Sequence, residues 1–304
     1  MGFYFLMYFI GFFIMFGYSE WFMVWMGLEV IMFSFLLIVV DTENSHVVMS
    51  CYRYFFIQSA ASGGILGLLY YSGWDYIVEA LLWFSLGAGP FYFWYISVMI
   101  DFNWLGCFFL MTFQKVPVFV VMWDLGSVYK WVVIFTSLVV GVWGILNCLS
   151  LKGILGYSSV HYLGWVLLGQ LVDKELWCFY FLLYIFMMLG VIMVIKSFFV
   201  VGHINSMNIY VILLCLLILG GVPPFLGFII KWLGFLFFFC VDVFVVYVLV
   251  VCSVFMCYSY LRIGYSVIMG GSVKGSMFFG NELFHFGVLN LFLGVVGLII
   301  VGSM

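Results

Sequence analysis

Residues 176–195 read LWCFYFLLYIFMMLGVIMVI, a run of apolar residues with neither a charge nor a proline. A membrane-spanning helix needs about 20 mostly apolar residues, because each one adds only about 1.5 Å across a hydrocarbon core about 30 Å thick. Similar runs recur along the whole chain, in which 68% of the 304 residues are hydrophobic and the mean hydropathy is +1.34. Most of the protein surface therefore faces lipid.

The scarcity of charge excludes several classes of protein. The chain has 12 acidic and 9 basic residues, whereas a soluble chain of this length carries roughly 75 charged side chains, since about 25% is typical. Charged residues cover the surface of soluble proteins, so this chain is not a soluble enzyme or a disordered protein. Its net charge is −3, and it has no basic cluster of the kind that binds nucleic acid.

The cysteines give no sign of a metal site or a disulfide framework. All 8 are scattered without a CxxC pair, and free buried cysteine behaves as a small hydrophobic residue. The chain also has no GxGxxG turn for a nicotinamide or flavin cofactor. We therefore expect no cofactor and no redox centre in this chain.

Splitting the apolar runs at polar or turn-forming residues predicts an all-α polytopic membrane protein with eleven transmembrane helices. The predicted spans are 2–18, 21–40, 52–72, 76–97, 102–122, 131–148, 155–171, 176–197, 208–239, 243–262 and 284–302. Only two predicted connections, 41–51 and 263–283, are long. Residues 1–304 are therefore predicted to form a single transmembrane domain, without a soluble domain.

Composition and basic residues predict the location and the orientation. Phe (38), Gly (33) and Trp (12) are abundant and Pro (4) is rare, a bias toward T- and G-rich codons that is typical of a strand-biased organellar genome. Basic residues accumulate on the side of the membrane where a chain is made. Arg53, Lys152, Lys196, Arg262 and Lys274 fall on the side of the N-terminus, and Lys130 and Lys174 fall on the other. The prediction is a multi-pass protein of the mitochondrial inner membrane, with its N-terminus in the matrix and its C-terminus in the intermembrane space.

The ninth predicted span, 208–239, contains Gly220-Gly221-Val222-Pro223-Pro224. Two prolines remove backbone donors and clash with the preceding turn, so a continuous helix is not expected there. Non-helical backbone at membrane depth occurs where it is buried in protein or lines a wet cavity, and broken helices line ion paths in transporters. The alternative is a proline kink at a tight packing point. Gly87-Ala88-Gly89-Pro90 interrupts the fourth span in the same way.

Four ionisable residues, Glu29, Glu79, Lys115 and Lys231, lie inside apolar runs. Each costs about 2.5–3.5 kcal/mol at a helix centre, so such residues are usually paired or functional. Lys115 lies two residues before Pro117, which leaves a backbone carbonyl without its usual donor. Lys231 follows the predicted break by a few residues. These two lysines are predicted to relay protons, the alternative being structural Glu–Lys pairs, and Glu79, near a span end, is predicted to be structural.

A series of short motifs lies along the chain between the second predicted span and the tenth. They are Glu20-Trp21-Phe22 with Trp25-Met26-Gly27-Leu28-Glu29, Arg53-Tyr54-Phe55-Phe56-Ile57-Gln58, Leu86-Gly87-Ala88-Gly89-Pro90-Phe91 with Phe93-Trp94, Thr112-Phe113-Gln114-Lys115, Ile154-Leu155-Gly156-Tyr157-Ser158-Ser159, Gly164-Trp165, Gly220-Gly221-Val222-Pro223-Pro224-Phe225-Leu226-Gly227-Phe228, Lys231-Trp232 and Tyr260-Leu261-Arg262. In this order they resemble the antiporter-like proton-pumping subunits of respiratory complex I.

The resemblance implies an antiporter-like fold with at least one broken helix, and a proton-translocating subunit of NADH:ubiquinone oxidoreductase. Lys115 matches the family's central lysine, Glu29 its charged helix glutamate and Lys231 the lysine on its broken helix. The NADH, FMN, iron–sulfur clusters and ubiquinone belong to the whole complex, and the expected neighbours are its chains 4 and 4L and membrane lipids.

Three positions depart from the family pattern. Ser85 stands where the family usually has a lysine, Tyr92 replaces a histidine, and His161 lies one position early. Arg53 is therefore a candidate partner for Glu29. Two other readings stay open: a structural membrane-arm subunit whose proton path is impaired at Ser85, and a free-standing cation/proton antiporter.

Overall fold

A computed structural model of the chain describes residues 2–18, 20–69, 74–123, 129–148, 150–172, 176–201, 206–223, 225–239 and 243–270. Its regular elements in these ranges are α-helices and two short 3-10 turns, Gly89–Phe91 and Phe113–Lys115. The helices are α1 (Gly2–Gly17), α2 (Trp21–Val39), α3 (Ser45–Leu69), α4 (Asp75–Leu86), α5 (Phe93–Asp101), α6 (Trp104–Met111), α7 (Val116–Trp123), α8 (Lys130–Asn147), α9 (Leu151–Val172), α10 (Leu176–Val201), α11 (Ser206–Gly220), α12 (Leu226–Phe239) and α13 (Val243–Gly270). The predicted all-α class is confirmed for the described residues.

The spans agree with prediction more closely than the connections do. Five stretches of the described residues are long and apolar enough to cross a membrane, and a sixth is a helix pair bent by 86°. The connections 41–51 and 263–283 were predicted too long, because α3 already begins at Ser45 and α13 continues to Gly270. Polar side chains do not end a helix at the membrane surface, where water solvates them while the backbone stays bonded within the helix. Span 284–302 lies outside the described residues, so the number eleven stays a prediction.

The chain divides into two compact units, with the boundary inside α9 between Gly164 and Trp165. In the first unit, α1 and α2 cross at Gly11 and Gly27. A Cβ atom on Gly11 would lie 2.6 Å from Cγ1 of Ile31, and one on Gly27 would lie 3.0 Å from the carbonyl oxygen of Gly11. Small residues let membrane helices approach this closely, which replaces the hydrophobic driving force that lipid does not supply.

Helices α8 and α9 also approach closely at glycines. Gly141 and Gly144 of α8 face His161 and Tyr157 of α9. A Cβ atom on Gly144 would lie 2.0 Å from Cδ1 of Tyr157. Also in the first unit, α3 packs against α2, α4 and α5, and α8 packs against the 3-10 turn that follows α4.

In the second unit, α11 packs against α10, α12 and α13, and α12 also packs against α10 and α13. Trp165 is buried there, with its ring centroid 5.4 Å from that of Phe235.

Candidate functional site

The first interruption of a span lies between α4 and α5. Gly87 follows α4 with a left-handed φ of 65°, its N–H donates to the carbonyl of Phe84, and the N–H of Ala88 donates to the carbonyl of Trp83, both at 3.2 Å. These two bonds form a Schellman motif, in which glycine takes the left-handed position at no steric cost. The helices on either side are bent by 86°.

The second interruption lies between α11 and α12, in the segment where the sequence predicts a break. Gly221 has a φ of 71°. Its N–H donates to the carbonyl of Ile218 at 3.2 Å, and the N–H of Val222 donates to the carbonyl of Leu217 at 3.3 Å. This is the same Schellman motif. Pro223 follows it, and Pro224 lies outside the described residues.

The two interruptions share a sequence pattern as well as a hydrogen-bond pattern. Residues 87–91 and 221–225 both read Gly-x-x-Pro-Phe. In the first, the N–H of Phe91 donates to Ala88 at 3.2 Å, and in the second, the N–H of Phe225 donates to Val222 at 3.0 Å. The repeat was visible in the sequence as two matching pentapeptides 134 positions apart (221 − 87), and sequence reasoning did not use it.

Lys231 bridges the second interruption. Its Nζ donates to the carbonyl oxygen of Gly220, the last residue of α11, at 2.7 Å. A Cβ atom on Gly221 would lie 2.8 Å from this Nζ, so glycine makes room for the contact. An ammonium at the C-terminal end of a helix offsets the partial negative charge of the unbonded carbonyls.

Lys115 lies in the 3-10 turn that joins α6 to α7. Its side chain is 2% exposed, and its Nζ lies 4.7 Å from the ring centroid of Tyr95. Among the described residues, this Nζ has no hydrogen-bond partner. The hydroxyl of Tyr95 lies 2.7 Å from Oγ of Ser159 and can act as donor or acceptor. The aromatic face attracts a cation, while the open donor positions of the amine require a further partner such as water.

A cavity of about 30 Å³ is lined by Gln114 and Pro117, which flank Lys115 in the chain. Its polar lining comes from Tyr54, Gln58, Ser62, Ser85 and Gln114. The Tyr54 hydroxyl donates to Oε1 of Gln114 at 3.0 Å, and Nε2 of Gln58 donates to the carbonyl of Ser85 at 2.9 Å. About 10–15 Å³ suffices for one water when polar partners are present, so the cavity has room for about two.

Glu29 reaches this cavity through a neighbour. It is half-buried on α2, and its Oε1 accepts a hydrogen bond from Oγ of Ser62 at 2.5 Å. Ser62 lines the cavity together with Gln114, which precedes Lys115 in the chain. The cavity is therefore lined by the hydrogen-bond partner of Glu29 and by the chain neighbour of Lys115, although neither Glu29 nor Lys115 lines it directly.

The structure brings Ser62, rather than Arg53, to Glu29. Arg53 is exposed and lies nine residues before Ser62 on α3. That separation is about 13.5 Å along the axis and places the two side chains on opposite faces of the helix. Among the described residues, no ion pair joins Arg53 to Glu29.

Two of the three departures from the family pattern have local partners. The Ser85 hydroxyl donates to the carbonyl of Leu82 at 2.8 Å, within its own helix. Nδ1 of His161 lies 3.3 Å from the carbonyl of Leu138.

The sequence reasoning missed a buried ion pair. Nζ of Lys130 lies 3.6 Å from Oε1 of Glu79, and the two residues are 6% and 0% exposed. The sequence interpretation began the sixth span at residue 131, just after Lys130, and predicted a structural role for Glu79 without naming a partner. In the structure, Lys130 is the first residue of α8, and its long side chain turns inward to the Glu79 carboxylate within α4. The signal was present as two opposite charges at the beginnings of two predicted spans on the same side of the membrane.

The all-helical fold with two interrupted spans is that of an antiporter-like membrane protein. The sequence model of a family described as "NADH:quinone oxidoreductase/Mrp antiporter, TM" matches residues 76–257. A chain of respiratory complex I from Thermus thermophilus has the same fold, with a TM-score of 0.78 and 19% identity over 96% of this chain and 77% of that one.

Relatives in sequence identify the family within this class of membrane protein. NADH-ubiquinone oxidoreductase chain 2 of Locusta migratoria is 33% identical over 71% of this chain and 69% of its own length. The protein of the same name from Aedes aegypti is 30% identical over 93% of this chain and 91% of its own length. The chain belongs to the NADH-ubiquinone oxidoreductase chain 2 family.

Proposed function

We propose that the chain is a proton-translocating subunit in the membrane arm of respiratory complex I, and that Lys115 relays the protons. One observation carries the proposal. Lys115 is almost completely buried, its Nζ has no hydrogen-bond partner among the described residues, and its chain neighbour Gln114 lines a polar cavity together with Ser62, which donates to Glu29. An amine in that setting can take up and release protons through water in the cavity.

The relay needs only proton transfers. A proton passes from cavity water to the neutral amine of Lys115, and the ammonium returns one to water on the next transfer. In this proposal the Glu29 carboxylate is the second proton-binding group of the relay. Ser62 orients this carboxylate toward the cavity wall through its hydrogen bond at 2.5 Å.

Lys231 is proposed as the second lysine of the path. Its ammonium stabilises the end of α11 through the carbonyl of Gly220. Loss of its proton weakens that charge-assisted bond, which couples the protonation of Lys231 to the geometry of the broken span.

We further propose that the protein lies in the mitochondrial inner membrane as a multi-pass subunit, with its N-terminus in the matrix and its C-terminus in the intermembrane space. Chains 4 and 4L of the complex and membrane lipids are its proposed neighbours. In this proposal the redox groups, NADH, FMN, iron–sulfur clusters and ubiquinone, are bound by the whole complex rather than by this chain. Protease or thiol labelling of mitoplasts at residues 271–283, which follow α13, from the outer face would contradict this orientation.

The test of the relay is Lys115→Met, which removes the titratable group and keeps the apolar stem. We expect the complex to assemble in normal amount, while NADH oxidation and proton output fall several-fold. Lys115→Arg should fail as well, since guanidinium does not deprotonate in proteins. The control is Lys196→Met, the same change at an exposed lysine of α10, which should pump normally. Normal proton output in Lys115→Met would end the proposal for this residue.

A structural role without pumping has one observation in its favour, the Ser85 hydroxyl bonded to its own helix where the family usually has a lysine. That reading predicts the opposite pattern, in which Lys115→Arg keeps the charge and supports assembly, while Lys115→Met lowers the amount of complex. A free-standing antiporter predicts a third result, a protein that does not co-purify with NADH dehydrogenase activity.

A further inference from the structure

The buried ion pair of Glu79 and Lys130 has no role in the relay described so far. The carboxylate is 0% exposed and the lysine 6% exposed. Replacing a buried ion pair with apolar residues is often neutral or stabilising, so stability alone does not require one. Because only 7% of this chain is charged and intramembrane ionisable residues are costly, retention of this pair indicates a function.

The pair has a defined position relative to the cavity. Leu82 and Ser85 line the cavity from α4, and Glu79 precedes them by three and six residues, about 4.5 and 9 Å along the helix axis. Asp75 begins α4, four residues or about 6 Å beyond Glu79. The pair therefore lies between the cavity and the side of the membrane on which α4 and α8 begin.

The packing of α8 keeps the pair next to the first interruption. A Cβ atom on Gly89 would lie 2.7 Å from Oγ1 of Thr136 and 3.2 Å from the carbonyl of Val133. The first two turns of α8 thus run from Glu79 to the interruption after α4. Lys130 is the first residue of α8, where the partial positive charge of a helix N-terminus disfavours a cation. The ammonium is paired there with the carboxylate of Glu79.

The two groups form an ion pair without a direct hydrogen bond. Their N···O distance of 3.6 Å is longer than the 2.7–3.2 Å of a formed hydrogen bond. The carboxylate is close enough to stabilise the ammonium electrostatically.

We propose that Glu79 and Lys130 form a second proton-exchange pair, which carries protons between the cavity and the membrane side on which α4 and α8 begin. This inference rests on the proposed proton relay at Lys115. A proton arriving from the cavity through water binds the carboxylate of Glu79. Lys130 then releases one proton to water on the side where α4 and α8 begin, and becomes a neutral amine. The two groups close to hydrogen-bond distance, and transfer of the proton from Glu79 to this amine restores the ion pair, so that one proton enters and one leaves in each cycle.

The decisive variant is Lys130→Arg in the assembled complex, reconstituted into sealed vesicles. Arginine keeps the ion pair, so assembly should stay normal, but it does not deprotonate. We expect proton output and NADH oxidation to fall several-fold. The matched control is Lys152→Arg, at a lysine whose Nζ donates to the carbonyls of Ile100 and Phe102; this control should pump normally.

A second variant, Glu79→Gln with Lys130→Met, removes both charges at nearly constant volume, so that neither is left buried alone. The exchange role predicts an assembled complex with several-fold lower proton output. Normal proton output in either variant would overturn the inference and leave a structural pair. Lys115→Met, measured in parallel, separates the two claims: if it pumps normally, the proposed function fails, and if it alone is impaired, only the inference about Glu79 and Lys130 fails.

Discussion

The ammonium of Lys231 donates to the carbonyl of Gly220 at 2.7 Å, and so joins the two halves of a broken span through one side chain. The contact exists because Gly221 stands between them without a side chain and with a left-handed φ of 71°. The helix end, the glycine and the lysine therefore form one unit, and changing any of them alters the other two.

The first prediction concerns this glycine. Gly221→Ala places a Cβ atom 2.8 Å from Nζ of Lys231 and forces alanine into a left-handed conformation that costs roughly 1–2 kcal/mol. We expect less assembled complex and a lower melting temperature. The control is Gly67→Ala in α3, where a Cβ atom meets nothing within 4 Å. Equal melting temperatures for the two variants would contradict the strain argument.

The second prediction concerns the carboxylate of Glu29. Ser62→Ala removes the hydroxyl that donates to it, and a hydrogen bond to a charged group contributes about 1.5–3 kcal/mol. We expect assembled complex with reduced proton output, since the carboxylate loses its orientation at the cavity. Ser253→Ala is the control, because that hydroxyl donates only to the carbonyl of Val250 in its own helix. The prediction is wrong if both variants pump alike.

A third prediction separates the ring of Tyr95 from its hydroxyl. Tyr95→Phe keeps the aromatic face under Lys115, and Ser159 keeps its bond to the carbonyl of Gly156 at 2.7 Å. Tyr95→Leu removes the face as well. Since cation–π contacts contribute about 2 kcal/mol or more when desolvated, we expect near-normal proton output in the first variant and a clear loss in the second. A loss of equal size in both would assign the effect to the hydroxyl.

A fourth prediction tests the packing of α8 on α9. Gly144→Ala puts a Cβ atom 2.0 Å from the ring of Tyr157, and overpacking of this kind typically costs about 1–3 kcal/mol. We expect a lower melting temperature of the complex. Adding Tyr157→Leu should restore part of the lost melting temperature, because the smaller side chain leaves room for the alanine Cβ atom. No rescue by the second change would show that the ring is not the obstacle.

The spans and both interruptions could be predicted because they depend on local composition. Twenty apolar residues predict a helix wherever they occur, and the Gly-x-x-Pro-Phe segments interrupt a helix through the backbone alone. Lys115 and Lys231 stood out for a similar reason, as single charges in apolar runs. The helix ends at Ser45 and Gly270 were harder to predict, since polar residues at the membrane surface are compatible with both helix and loop.

The contacts between side chains were harder to predict, because they depend on how helices that are distant in sequence pack together. Glu79 and Lys130 are 51 positions apart (130 − 79) and meet because α8 packs beside the interruption that follows α4. Arg53 was the candidate partner of Glu29, but it lies on the face of α3 opposite to Ser62. Ser62, which does bind Glu29, is one of many small residues in α3, and nothing in the sequence marks it.

Glu79 and Ser85 are six positions apart on α4, and this separation determines the electrical work of moving a proton between them. The distance of about 9 Å along α4 is close to a third of a hydrocarbon core about 30 Å thick. Moving one elementary charge through the whole potential takes about 2.3 kcal/mol per 100 mV. A proton that moves about 9 Å along the membrane normal therefore works against about 0.7 kcal/mol per 100 mV. Exchange at this pair should slow as the membrane potential rises, while steps confined to the cavity should not.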